Sequence, residues 1–348
     1  MFILNIDLLK RLCETPGVPG HETRVRDLIQ QEVKGFFDEV YTDSLGSLIC
    51  KKISKNKKNK KNILLLCHMD EIGFLVNFIN KQGYAYVDPV GGFDPRNLFS
   101  RRVKICTDSG DYKGVMNPIG KPVHTQSALD RKKVPETSDF FVDLGFGEKT
   151  KDYVNIGDFV VMDEPFLSLD SKVVSKALDN RIACWIGIEA IRKIVDENIN
   201  HNHDITVAFT TQEEVGLRGA KIASFQVNPD IAIGIDTTLS CDTPGVAENE
   251  WITTQGKGFG LHIKDSSFIS DKDLVKEFIE IADENKIPFQ RTILSRGGQD
   301  GAAGQQAASG AKAIGIVVGT RYIHTVTEMI DKSDLENALK IIIKFIER

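Results

Sequence analysis

Seven residues scattered along the chain carry side chains suited to holding a divalent metal and moving a proton beside it: His68, Asp70, Asp179, Glu213, Glu214, Asp236 and His324. Imidazole and carboxylate are the nitrogen and oxygen donors that Zn, Co and Mn take. Two such ions about 3.5–4 Å apart can clamp both oxygens of a hydrolytic transition state, given a bridging carboxylate and terminal ligands on each ion. Asp179, in SKALDNRIA just ahead of a helix, is the candidate bridge. In His68-x-Asp70, strand alternation puts both side chains on one face, so Asp70 could accept the second N–H of His68 and fix its tautomer. Glu213-Glu214 sets two like charges side by side, a cost that a metal removes, and leaves one acid to ligate while the other acts as general base. Each pattern has an ordinary alternative: a buried His–Asp hydrogen bond, two exposed acids in a loop, a helix cap for Asp179, a turn residue for Asp236. What joins them is position. ILLLC runs into His68, ITVAFTTQ into Glu213-Glu214, IAIGI into Asp236 and AIGIVVGTRYI into His324, and in open α/β sheets ligands bind at the carboxyl ends of strands.

Those apolar strands alternate with helical segments, which predicts an α/β fold with a mostly parallel sheet flanked by helices. Leu8, Leu9 and Leu12 share one face of a short helix, and Val25, Leu28, Ile29 and Val33 one face of the next. ALDNRIACWIGIEAIRKIVDE, DKDLVKEFIEIADENK and KSDLENALKIIIKFIER read as further helices, the last with Ser333 as its N-cap. Residues 72–165 break the alternation. Short β-rich segments separated by Gly, Pro, Asp and Asn, with no helix, predict an inserted all-β domain of barrel type. The remainder, 1–71 plus 166–348, is then the catalytic domain.

With 348 residues, 41% of them apolar and 27% charged, the chain suits one large globular domain and a smaller one. A net charge of −5 gives no electrostatic case for nucleic acid or anionic membrane. KKISKNKKNKKN is basic, but lies between two strands of an acidic protein and reads as a solvated hairpin loop. No apolar run reaches the ~20 residues of a membrane helix, and the opening residues lack a basic leader, so a cytoplasmic location is expected. The six cysteines form no CxxC pair, as expected of buried thiols in a reducing compartment. His21, His124 and His262 carry little signal, and the HNH string at 201–203, which could suggest metal binding, reads as two exposed loop histidines in a polar turn. SRGGQDGAAGQQAASG lacks the ending of a phosphate loop and reads as a tight loop and small-residue helix near the site; GKGFG at 256–260 reads as a turn.

LLCHMDEIGFLV, KALDNRIACW, TTQEEVGLRGA, IGIDTT, SRGGQDGAAG and GTRYIHT occur in order over nearly the whole chain. Together they resemble the glutamyl-aminopeptidase-type dimetal peptidases of metallopeptidase family 42, which form tetrahedral dodecamers. PVHTQSALDRKKVPE in the insert resembles the same family. The resemblance implies two divalent ions per subunit, Zn or Co with Mn as a further option. His68 and Asp236 would hold one ion, Glu214 and His324 the other, and Asp179 would bridge. Asp70 would orient His68, Glu213 would be the general base, and the β domain would dimerise. Three segments depart from the pattern: a GGTDA-like loop reads Gly297-Gly298-Gln299-Asp300-Gly301, a GKGP-like turn reads Gly256-Lys257-Gly258-Phe259-Gly260, and Thr325 replaces a serine. None is a proposed ligand; they bear on specificity.

The implied activity is removal of the N-terminal residue from short peptides by water held between the ions, with Glu213 as its base. Two other functions suit parts of the pattern. A dimetal amidase or deacylase would use the same ligands on acylated amino acids, and a non-catalytic peptide-holding assembly would need neither Glu213 nor a full ligand set. A cellulase name carried by some relatives fits less well, since glycosidases use an acid/base carboxylate pair rather than a metal pair.

Overall fold

The structure is a computed structural model and describes residues 4–56 and 58–348. The first three residues of the N-terminal run and Lys57 of the lysine-rich segment lie outside the described residues. The chain opens with α1 (Ile6–Glu14), α2 (Thr23–Glu32), β1 (Glu39–Thr42), β2 (Leu48–Lys52) and β3 (Asn62–His68). Six strands follow: β4 (Gly73–Ile79), β5 (Ala85–Val90), β6 (Arg101–Cys106), β7 (Asp111–Pro118), β8 (Phe140–Asp143) and β9 (Phe159–Met162). Then come β10 (Leu167–Ser168), β11 (Lys172–Ser175), α3 (Leu178–Asp196), β12 (Asp204–Thr210), α4 (Arg218–Val227) and β13 (Ile231–Leu239). The chain closes with β14 (Phe259–Lys264), α5 (Lys272–Glu284), β15 (Phe289–Ile293), α6 (Gly301–Gln306), β16 (Lys312–Arg321), β17 (Glu328–Asp331) and α7 (Lys332–Glu347).

Eleven strands form one sheet in the order β1-β2-β12-β3-β13-β16-β17-β11-β10, with β14 on β16 and β15 on β14. The central strands β12, β3, β13 and β16 are mutually parallel, as their continuous apolar runs predict. Antiparallel strands extend the sheet on both sides, so the whole is mixed. Register decides what reaches the edge. His68 pairs with Thr210, and Leu66 pairs with Gly234, so His68 and Asp236, each two residues on, stand level on neighbouring strands.

β4 to β9 close a barrel in the order β4-β5-β8-β7-β6-β9, with its own core of Phe74, Val76, Val87, Val103, Ile105, Met116, Phe140, Val142 and Val160. Among the described residues it holds only short 3-10 turns besides its strands. Closure leaves no sheet edge to pair with a stray chain.

α3 is the central helix. Ile182, Ile186, Ala190 and Ile194 are buried, as their spacing requires, and so is Trp185, whose indole donates to Asn5 O at 2.9 Å. Two local readings change. The N-cap of α7 is Asp331 rather than Ser333: the Asp331 carboxylate accepts the Ser333 N–H at 2.8 Å and its hydroxyl at 2.5 Å, which makes the serine the second residue of the helix. α4 carries no strong apolar stripe and packs through small residues, Gly219, Ala220, Ala223 and Ser224, so periodicity does not reveal it. All six cysteines are free, and only Cys241 is partly exposed.

Candidate metal centre

The carboxyl edge of the parallel strands gathers all seven candidate residues. His68 ends β3 and is 1% exposed; Asp70 follows it and is fully buried. Glu213 and Glu214 lie in the loop after β12, Asp236 is in β13, and His324 lies in the turn after β16 rather than on the strand. Asp179 opens α3 at a kink with non-helical dihedrals, where the Asp179–Asn180 peptide is cis. Asn180 donates to Ile235 O at 2.9 Å, which pins this kink to β13.

Asp179 stands between the two imidazoles. Its Oδ1 is 3.4 Å from His68 Nε2 and its Oδ2 is 3.6 Å from His324 Nε2. His68 Nε2 also faces Asp236 Oδ1 at 3.9 Å and Glu213 Oε2 at 3.8 Å, and His324 Nε2 faces Glu214 Oε2 at 3.4 Å. Ligand atoms of His68, Asp179 and Glu214 lie within 4.8 Å of one another, as do those of His68, Glu213 and Asp236. Beside the cluster opens a cleft of about 620 Å³, walled by Leu217, Leu239, Ser267, Leu294, Arg296 and Ile323 among others.

The electrostatics are those of a site short of positive charge. Burial would lower the pKa of His68, but Glu213, Asp179 and Asp70 overcome this and raise it well above its ordinary value. His324 is pushed up to about 12: burial again acts downward, and Asp179 and Glu214 outweigh it. Burial works against the Asp179 carboxylate too, yet both imidazoles hold it well below the usual range. Burial and like charge drive Glu213 and Asp236 well above theirs, and burial raises Glu214. Four acidic groups thus crowd two imidazoles. Divalent cations would relieve that imbalance, and the donor set of two nitrogens and several carboxylate oxygens fits ions of the zinc class.

Asp70 does more than its spacing to His68 suggests. His68 Nδ1 contacts the Asp70 backbone oxygen at 3.2 Å and its carboxylate at 3.5 Å. The carboxylate's own hydrogen bonds come from the Glu213 and Glu214 amides, 3.1 Å each.

Sequence reasoning passed over several supports. Glu328, 2% exposed, accepts the Asp179 N–H at 2.9 Å and the His324 N–H at 2.8 Å, tying two of the seven together. Its only sequence signal is an acid four residues after His324. Asp300, in the glycine-rich loop, accepts from the Thr210 hydroxyl beneath the site. That loop's Gln299 lies flat on the sheet because Gly234 has no side chain: a Cβ there would stand 2.0 Å from Gln299 Oε1. Glu71, next to Asp70, is locked by Lys176 at 2.6 Å and Arg181 at 3.4 Å, all buried. Ala177, Gln212, Leu217, Tyr322 and His324 all hold positive φ, a strain that collects at functional sites.

An α/β sheet with imidazoles and carboxylates converging at its carboxyl edge defines a metal-dependent hydrolase. The chain belongs to the M42 glutamyl aminopeptidase family, whose profile matches residues 46–341, and is thus a metal-dependent aminopeptidase. It is 30% identical to the lysyl aminopeptidase of Pyrococcus furiosus, over 96% of this chain and 94% of that protein. The TET aminopeptidase of the marine sediment archaeon Thaumarchaeota archaeon SCGC AB-539-E09 superposes with a TM-score of 0.95 at 33% identity, covering 99% of this chain and 96% of that one. Pyrococcus horikoshii TET1 peptidase, which can assemble into a tetrahedron or a large octahedral shell, gives a TM-score of 0.86 at 31% identity over 98% of each chain. PhTET1-12s, with the same TM-score at 32% identity over 99% of each chain, is a dodecamer.

Proposed function

We propose that this aminopeptidase works with two divalent ions, Zn or Co foremost. His68 and Asp236 hold one, Glu214 and His324 the other, Asp179 bridges, and Glu213 is the general base. The observation that carries this reading is the division of Asp179, one oxygen toward each imidazole. Bound there, the ions would supply Lewis-acid polarisation of the scissile carbonyl and lower the pKa of the attacking water.

The chain's own residues account for the rest. Asp70 orients His68 and grips the amides of the Glu213-Glu214 loop. Glu213 is partly exposed at the cleft, so its carboxylate can take a proton from the attacking water and return it to the leaving amine. A site carboxylate receives the peptide's free α-amino group, which restricts cleavage to the first residue. Leu217, Leu239, Leu294 and Ile323 on the cleft wall exclude water beside that side chain.

Residues 72–165 are assigned as an inserted dimerisation domain on a catalytic domain of 1–71 and 166–348. Homologues assemble as TET particles, one of them a dodecamer, and we extend the tetrahedral dodecamer built from dimers to this chain, with short peptides as substrates. No helix among the described residues is long and apolar enough to cross a membrane, and we place the protein in the cytoplasm.

The test is Glu213→Gln assayed on aminoacyl-nitroanilides after loading with Zn, Co or Mn. We expect kcat to fall by about 10²–10⁴-fold, the range for a lost general base, with two ions still bound. Near-full activity with both ions present would refute the base assignment.

A further inference from the structure

Three successive amides in the loop after β12 are held from outside that loop by buried carboxylates. Asp70 takes those of Glu213 and Glu214. The third, from Gln212, goes to Glu22 Oε1 at 3.0 Å, 190 positions away in the chain. Glu22 is 4% exposed, and the same oxygen accepts the Gly20 N–H at 2.9 Å.

Two features set this contact apart from an ordinary loop tie. Glu22 occupies the N-cap position of α2, where a short side chain such as Asp or Ser would accept from the first turn of its own helix. It makes no such bond; its carboxylate reaches the catalytic loop instead. Gln212 is held at φ 55°. A residue with a Cβ pays about 1–2 kcal/mol to stay in that left-handed region, a cost that the loop's own backbone bonds and the Glu22 contact together offset. Successive N–H groups around such a residue form a concavity that suits anionic acceptors, and Glu22 and Asp70 fill it together. Burial and the neighbouring Asp70 push the Glu22 carboxyl up to about 7.

We propose that Glu22 is a positioning residue for the reaction: by holding the Gln212 amide it sets the direction in which Glu213 leaves the backbone toward the attacking water. The proposal rests on Glu213 being the general base. Asp70 fixes the loop from the β3 side, and Glu22 fixes the residue before the base from the α2 side.

The experiment uses the metal-loaded full-length protein and reads kcat, KM and bound metal for Glu22→Ala, Glu22→Gln and Glu213→Gln. Glu22→Ala is expected to lower kcat by about tenfold to hundredfold, the usual effect of losing an outer support of a metal site. KM should stay within about threefold, because hydrophobic and metal contacts to substrate remain, and both ions should stay bound. Glu22→Gln keeps an acceptor oxygen of the same reach and should restore kcat to within about threefold of wild type. Wild-type kcat in Glu22→Ala would overturn the proposal. So would a loss that added metal reverses, or a Glu22→Gln variant as slow as Glu22→Ala, since the oxygen's hold would then not be what matters. Should Glu22→Ala fail to fold, Glu22→Asp keeps the carboxylate but shortens its reach to the Gln212 amide: a fall in kcat with metal retained supports the proposal, and unchanged kcat overturns it. If Glu213→Gln is active, the base assignment itself fails; if only Glu22→Ala is active, the positioning role alone fails.

Discussion

Asp70→Asn tests whether the catalytic loop is built on a buried carboxylate. Both oxygens of Asp70 accept: Oδ1 from the Glu213 amide and Oδ2 from the Glu214 amide, 3.1 Å each. An asparagine side chain has the same shape but offers one oxygen and one NH2. Whichever way it turns, one of the two amides meets a donor, with no water available because Asp70 is fully buried. A hydrogen bond to a charged group contributes roughly 1.5–3 kcal/mol, and a buried donor left unpaired costs about 1–3 kcal/mol. If that strain displaces Glu213 or Glu214 and is felt at the transition state, each 1.36 kcal/mol is a factor of ten, so kcat/KM should fall by about tenfold to hundredfold. His68 also loses the negative charge 3.5 Å from Nδ1, which weakens its basicity as a ligand in the same direction. The assay is hydrolysis of an aminoacyl-nitroanilide by metal-loaded enzyme, with bound metal counted in parallel. Full kcat/KM with two ions bound would show that the loop holds its own shape and would refute the argument.

His324→Ala removes the nitrogen that faces Asp179 and Glu214; elemental analysis should find one ion per subunit instead of two, and activity should drop by at least a hundredfold. Glu71→Ala strands Lys176 and Arg181 in the interior, and urea denaturation should show a loss of about 3–5 kcal/mol, as for other broken buried pairs. Gly234→Ala drives a methyl into Gln299 and the start of α6; about 1–3 kcal/mol of overpacking is expected, together with lower activity from a displaced glycine-rich loop. In chelator-stripped protein Asp179 and Glu214 outweigh burial and push the His324 imidazole up to about 12 from its ordinary 6.5. A raised folded pKa contributes stability that is fully present below pH 6.5 and is lost as pH climbs toward 12. Melting temperatures of stripped protein should therefore fall on the alkaline side more steeply than those of loaded protein, and metal addition near neutral pH should release protons. Equal slopes and no proton release would contradict the site's electrostatics.

The line of apolar runs ending in His68, Glu213-Glu214, Asp236 and His324 was readable because buried parallel strands must be apolar throughout and must stop where the chain returns to water. Residue type and strand position were enough to name the candidates, to predict the sheet and to find the β-rich insert, whose composition changes abruptly. Folding alone decided which groups meet. Register aligns His68 with Asp236, and a kink at the head of α3 turns Asp179 so that each oxygen faces a different imidazole. Glu328, Glu22 and Asp70 act on the loops through backbone amides, and an amide leaves no mark in the sequence because every residue but proline has one. Side-chain chemistry is written residue by residue, whereas the hydrogen bonds that aim it depend on pairings across the chain that exist only once it has folded.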